Sequence, residues 1–247
     1  MRQVNLLPSG SHPKRKNILH ATEDRLYYAS TLALHVINAR TFAFEKIIAL
    51  SDQNLMAIAI NPHDSNRMLC VCKKGNLTHW NLATGLPIST YLVKGECRYV
   101  LEWDPFNSDL CLLGFQSPDL QSKSSVSMIN MGIHKDGIEL SEMYTMKDFH
   151  EILTVIRLNT LINGLFAVGC NNGVVYILTS KSKSGKERLL KNSDRNSSVV
   201  DMRWDRLSSI YILVAYDKCV SLWDSEAASE MHSFDRQVGY QKSMCSL

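Results

Sequence analysis

The stretch Ser221-Leu222-Trp223-Asp224-Ser225, near the C-terminus, decides how the rest of the chain is read. Val220 and Leu222 are apolar and two apart, the spacing of a half-buried strand, and the Trp-Asp pair closes that strand before a turn. Upstream, Tyr211-Ile212-Leu213-Val214-Ala215-Tyr216 is a wholly apolar, strand-sized run, joined to it by the tight turn Asp217-Lys218. Val199-Val200-Asp201-Met202-Arg203-Trp204-Asp205 precedes it as a third strand, and Glu230-Met231-His232-Ser233-Phe234 follows as a fourth. Four short antiparallel strands in succession form one unit of an all-β protein.

The unit recurs. Leu77-Thr78-His79-Trp80-Asn81-Leu82-Ala83-Thr84-Gly85 repeats the shape with Asn81 in place of the Asp. Aligning on the Trp position gives Ile37, Trp80, Ile129, Ile177 and Trp223, a spacing of roughly 45 residues. A second landmark keeps step: the first strand of each unit ends in an apolar residue followed by Asn or Asp, at Ile60-Asn61, Trp103-Asp104, Leu158-Asn159 and Trp204-Asp205. The third unit alone is long, and its excess falls in the polar stretch from Gln116 to Ser125. The units span 17–50, 51–93, 94–144, 145–191 and 192–234, with an N-terminal segment 1–16 and a short C-terminal tail 235–247.

Two landmarks in phase give the chain a pattern that resembles the WD-repeat β-propeller family over nearly its whole length. The resemblance implies an all-β propeller of about five degenerate blades acting as an intracellular protein-binding scaffold. The family's pattern also includes a hydrogen-bonded His, Ser and Asp that lock each Trp. By position, Asp217 matches the tight-turn Asp and His150 the loop His, but they fall in different units. Apolar packing is therefore expected to replace the side-chain lattice, with Trp80, Trp103, Trp204, Trp223 and Asp224 as structural landmarks. Such propellers close with about seven blades, so five units imply an incomplete or open ring, as in a short isoform, a fragment or a truncated gene product. An open ring exposes sheet faces that favour self-association. The apolar Val4-Asn5-Leu6-Leu7 could supply a ring-closing strand.

Bulk composition excludes several classes. Hydrophobic residues make up 45% of the chain and charged ones 21%, ordinary proportions for a globular protein. A net charge of +3 is too small to argue for nucleic acid. No apolar run approaches the roughly 20 residues of a membrane span, and the N-terminus lacks the pattern of a secretory signal. Seven cysteines scattered through the strands point to reduced thiols in a cytoplasmic protein, or a nuclear one.

The chemistry-bearing residues do not converge on an enzyme. Cys70 and Cys72, with His63 and His79 nearby, lack the second ligand pair of a zinc site, so buried strand cysteines are the expectation. No nucleophile elbow or metalloprotease motif occurs, and Lys181-Ser182-Lys183-Ser184-Gly185-Lys186 lacks the first glycine of a phosphate loop. No cofactor, metal or small-molecule substrate is expected. The basic segment Lys181, Lys183, Lys186, Arg188 and Lys191 is the alternative: a phosphate-contacting patch for nucleic acid or acidic membrane, though without an aromatic residue to stack on a base. A solvated loop is the simpler reading.

Overall fold

The computed structural model describes residues 18–30, 33–50, 55–93, 97–116, 124–131, 133–134, 137–138, 142–180, 187–191 and 197–235. The ring-closing strand expected at Val4–Leu7 lies outside them. The described residues form twenty-two strands, and no helix occurs among them. None therefore holds a helix long and apolar enough to cross a membrane.

Five four-stranded antiparallel sheets follow one another along the chain. The first holds β1 (Leu19–Ala21), β2 (Arg25–Ala29), β3 (Ala33–Asn38) and β4 (Phe44–Ala49). The second holds β5 (Leu55–Ile60), β6 (Arg67–Cys72), β7 (Asn76–Asn81) and β8 (Leu86–Leu92). The third holds β9 (Arg98–Trp103), β10 (Leu110–Gln116), β11 (Ser124–Asn130) and β14 (Glu142–Phe149), with a small hairpin of β12 (Ile133–His134) and β13 (Gly137–Ile138) inserted before its last strand. The fourth holds β15 (Leu153–Leu158), β16 (Leu165–Cys170), β17 (Val175–Thr179) and β18 (Arg188–Leu190). The fifth holds β19 (Val199–Trp204), β20 (Tyr211–Tyr216), β21 (Cys219–Asp224) and β22 (Ser229–Asp235). Each sheet is a meander in chain order, and no sheet closes on itself. This arrangement is compatible with a propeller-like all-β fold.

Apolar layers between successive sheets hold the stack. Tyr27, Leu34 and Val36 of the first sheet pack on Ile58, Met68 and Trp80 of the second. Leu69 and Leu77 of the second meet Tyr99, Trp103 and Ile129 of the third. Leu112 and Val126 of the third meet Ile156, Phe166 and Leu178 of the fourth. Ala167 and Ile177 of the fourth meet Met202, Ile212 and Trp223 of the fifth. A sheet buried on both faces needs apolar residues at successive positions rather than alternation. The run Leu165-Phe166-Ala167-Val168-Gly169-Cys170 is such a strand, buried throughout.

Where a side chain would not fit, glycine stands. A Cβ on Gly169 would lie 2.6 Å from Val199 Cγ1 and 2.9 Å from Val155 Cγ1, and one on Gly114 would lie 2.7 Å from Ile156 Cδ1. Both glycines sit on the second strand of a sheet, against the first strand of the next. Gly75 and Gly173 instead adopt positive φ, of 89° and 84°, in the turns leading into β7 and β17.

Pairing register corrects two expectations. In the fifth sheet, Trp204, Ile212 and Trp223 form one cross-strand row. The corresponding row of the fourth sheet is Leu158, Phe166 and Leu178, not Ile177. Ile177 sits one residue away and therefore points to the opposite face, into the layer shared with the fifth sheet. The expected boundary between 144 and 145 also falls inside β14, so the third unit extends through Phe149.

Candidate functional site

The Asn or Asp that closes each first strand is a turn cap. Asn61 Oδ1 accepts the N–H groups of His63 (2.8 Å) and Asp64 (3.2 Å). Asp104 Oδ1 does the same for Phe106 (2.7 Å) and Asn107 (3.1 Å), and Asn159 Oδ1 for Leu161 (2.8 Å) and Ile162 (2.9 Å). Asp205 Oδ1 accepts from Leu207 N–H at 3.1 Å. Such side-chain-to-backbone bonds fix a turn locally. The two asparagines also use their amide as a donor to the next sheet: Asn61 Nδ2 to the Ser108 carbonyl (2.9 Å) and Asn159 Nδ2 to the Ser209 carbonyl (3.1 Å). These bonds place the capped turns of neighbouring sheets at one end of the stack. Phe106, Leu161, Ile162 and Leu207 are exposed on those turns.

Just inside this end runs a chain of charges on the first strands. Each residue occupies the position before, or three before, the landmark apolar residue. Arg157 of β15 is largely buried and is held on three sides. Its Nη1 pairs with Glu102 Oε2 of β9 at 3.1 Å, its Nη2 with Asp201 Oδ1 of β19 at 2.6 Å, and its Nε donates to the Met202 carbonyl at 3.2 Å. Arg203 Nη2 lies 3.6 Å from Asp201 Oδ2 and extends the chain outward. Burial raises the Glu102 pKa against the pull of Arg157. Burial opposes the charge on Arg157, yet Glu102 and Asp201 outweigh it and hold the guanidinium more firmly protonated. His20 of β1 faces the same cluster: burial, then the positive charges of Arg203 and Arg157, lower its pKa to about 4, so it is neutral at pH 7.

A second polar group lies between the second and third sheets. Arg67 Nε donates to His79 Nε2 at 3.3 Å, Arg67 Nη1 pairs with Asp109 Oδ1 at 3.2 Å, and the guanidinium carbon lies 5.7 Å from the centre of the Trp103 ring. His79 is fully buried, and desolvation together with Arg67 lowers its pKa to about 4. Accepting at Nε2 requires the proton on Nδ1.

The residues singled out in the sequence are distributed as follows. Trp80, Trp103, Trp204 and Trp223 are all buried. Trp103 Nε1 donates to the Ser108 carbonyl and Trp204 Nε1 to the Arg157 carbonyl, each at 3.0 Å. Asp224 Oδ1 caps its turn by accepting from Glu226 and Ala227 N–H, both at 2.8 Å. Asp217 is exposed in the β20–β21 turn and His150 in the bend after β14. Cys70 and Cys72 point into the layer between the first and second sheets, whereas His79 packs 6.0 Å from Trp103 on the other side of its sheet. His63 is exposed in its turn, so the four are not brought together.

Of the basic segment, Lys181, Lys183 and Lys186 lie outside the described residues. Arg188 belongs to β18 and donates Nη1 to the Ser225 carbonyl at 2.9 Å, which ties it to the fifth sheet. Lys191 is exposed just beyond that strand.

Sequence reasoning overlooked the Glu102–Arg157–Asp201–Arg203 chain. The signal was available in the repeat alignment, where Glu102, Arg157 and Arg203 share one column in three consecutive units. No family model matches the chain.

Proposed function

We propose that the chain is a WD-type β-propeller assembly that serves as a non-enzymatic platform for protein–protein interaction. The observation that carries this reading is the row of exposed apolar side chains, Phe106, Leu161, Ile162 and Leu207, each on a turn fixed by an Asn or Asp cap. Apolar side chains held on rigid turns lose little conformational entropy when a partner covers them. The repeat spacing and buried Trp landmarks support the WD assignment, and the stacked meanders are compatible with it.

The test is a quantitative interaction screen comparing the wild type with a Leu161→Ser/Leu207→Ser variant. Both positions are exposed, so the variant is expected to keep the wild-type melting profile. The reading expects a reproducible set of bound proteins that the variant loses. A set that the variant retains in full would remove this surface from the proposal. The absence of any enriched protein would remove the platform function.

A further inference from the structure

The first strands of consecutive sheets are neighbours: β1 lies by β5, β5 by β9, β9 by β15 and β15 by β19. In the first sheet, Thr22 N–H bonds to the Arg25 carbonyl, as Asn61 N–H does to the Arg67 carbonyl and Asp205 N–H to the Tyr211 carbonyl. Thr22 therefore holds the cap position, and His20 falls in the column one before the landmark. That column reads His20, Ala59, Glu102, Arg157 and Arg203, one residue from each sheet. Its members meet. Glu102 pairs with Arg157 at 3.1 Å and also feels the charge of Arg203, two sheets away. The charges of Arg203 and Arg157 both act on the His20 ring. The first strands thus surround a common polar axis, with β1 in reach of β19.

The charges on this axis are unequally committed. Arg157, its side chain 12% exposed, draws one oxygen of each carboxylate onto itself, Glu102 Oε2 and Asp201 Oδ1, and donates to the Met202 carbonyl. Arg203 is different. Its side chain is 66% exposed, and among the described residues its one partner is Asp201 Oδ2 at 3.6 Å, beyond hydrogen-bond length. A guanidinium carries five N–H donors in a planar fork, so those of Arg203 stand open. His20 is neutral at pH 7, and neither of its ring nitrogens has a hydrogen-bond partner among the described residues. One of the two carries a proton to donate. Open donors beside two positive charges favour an anion.

We infer that this axial cluster binds a phosphate group, gripped through two oxygens by the Arg203 guanidinium and met at a third by the His20 N–H. The paired N–H groups of a guanidinium match two oxygens of such an oxyanion, and a tetrahedral group keeps a further oxygen for the imidazole. Arg157 stays clamped by Glu102 and Asp201 and contributes charge rather than contact. The groups that act on His20 are Arg203 and Arg157, with the Tyr27 side chain beside it in the strand pair. A bound anion offsets the two arginines and so raises the His20 pKa. The inference rests on the first strands and not on the platform reading, so its failure leaves that reading untouched.

Titration calorimetry on the full chain tests it, with inorganic phosphate and, separately, a phosphoserine tripeptide, at an ionic strength held constant with sodium chloride. The wild type should bind one equivalent saturably. Arg203→Ala changes a largely open side chain, so a thermal melt should match the wild type while phosphate binding weakens about tenfold or more. Arg203→Lys should recover part of that loss, because it restores the charge without the fork. In NMR the His20 ring, identified by its loss in His20→Gln, should shift on adding phosphate and titrate at a higher pH than in its absence. Leu161→Ser/Leu207→Ser should bind phosphate as the wild type does, which separates this site from the platform surface. Tighter binding of the tripeptide supports a phosphate carried on a polypeptide, and tighter binding of the free ion supports a solute. Phosphate binding that Arg203→Ala keeps in full would overturn the inference. So would the lack of saturable binding of either probe, or a His20 ring that phosphate leaves unmoved.

Discussion

His79 should make the protein lose stability in mild acid, by an amount that can be worked out beforehand. In the unfolded chain a histidine takes up a proton near pH 6.5. In the folded protein His79 is fully buried, its Nε2 accepts from the Arg67 guanidinium, and its pKa is lowered to about 4. The folded state therefore binds fewer protons than the unfolded state between these values. The stabilising contribution is complete above pH 6.5 and is lost as the pH falls toward 4. Between pH 7 and pH 5 the linkage relation gives a loss of about 2 kcal/mol from this residue. His20 has a similarly lowered pKa and adds to the total slope, so the single residue must be isolated. His79→Gln keeps an acceptor for Arg67 Nε and removes the titration. Urea unfolding of both proteins at pH 7 and pH 5 should show the variant losing about 2 kcal/mol less than the wild type over that interval. Histidine ring resonances followed by NMR should show that neither the His79 nor the His20 ring titrates above about pH 5, with the His79 signal identified by its loss in the variant. Equal pH dependence in the two proteins, or a His79 ring titrating near 6.5 in the folded state, would refute the reasoning.

Three further outcomes are expected. Gly169→Ala should destabilise by about 1–3 kcal/mol in chemical denaturation, because the new methyl meets the stiff branched carbons of Val199 and Val155. Gly114→Ala should cost less, since its contact is the flexible Ile156 Cδ1, and equal losses would contradict the packing account. Arg157→Met should cost about 2–3 kcal/mol, below the usual penalty for breaking a buried pair because Glu102 and Asp201 keep some solvent. Adding Glu102→Gln to that variant should restore part of the loss, and strict additivity would show that the pair does not couple. Asn159→Asp keeps the turn cap but removes the donor to the Ser209 carbonyl, so a drop of about 1 kcal/mol or more is expected. Asp104→Asn, read by the same melt, should be tolerated far better, because both forms present Oδ1 to the turn.

Strands, their order and the repeat were legible from local pattern. The run Tyr211–Tyr216 matches the observed strand end to end, and the landmarks Ile60, Trp103, Leu158 and Trp204 each close an observed first strand. Each is bounded by turn chemistry that acts within a few residues, such as the caps at Asn61, Asp104 and Asp224. Register was less legible. Ile177 and Leu178 are both apolar and both buried, so neither pattern nor composition separates them, and only the pairing of β16 with β17 assigns each to its face. The site was less legible still, because its members come from different sheets.

What the amino-acid order determined by itself is a set of antiparallel meanders with buried Trp landmarks, since hydrogen-bonded turns and apolar strand runs are short-range properties. What tertiary structure alone decided is which charges meet and which faces stay open. Glu102, Arg157 and Asp201 become neighbours only when three sheets stack. Leu213, in a strand apolar at every position, is 41% exposed while its neighbours Ile212 and Val214 are buried in the layer shared with the fourth sheet. Both outcomes depend on contacts between sheets, which no local stretch of sequence contains.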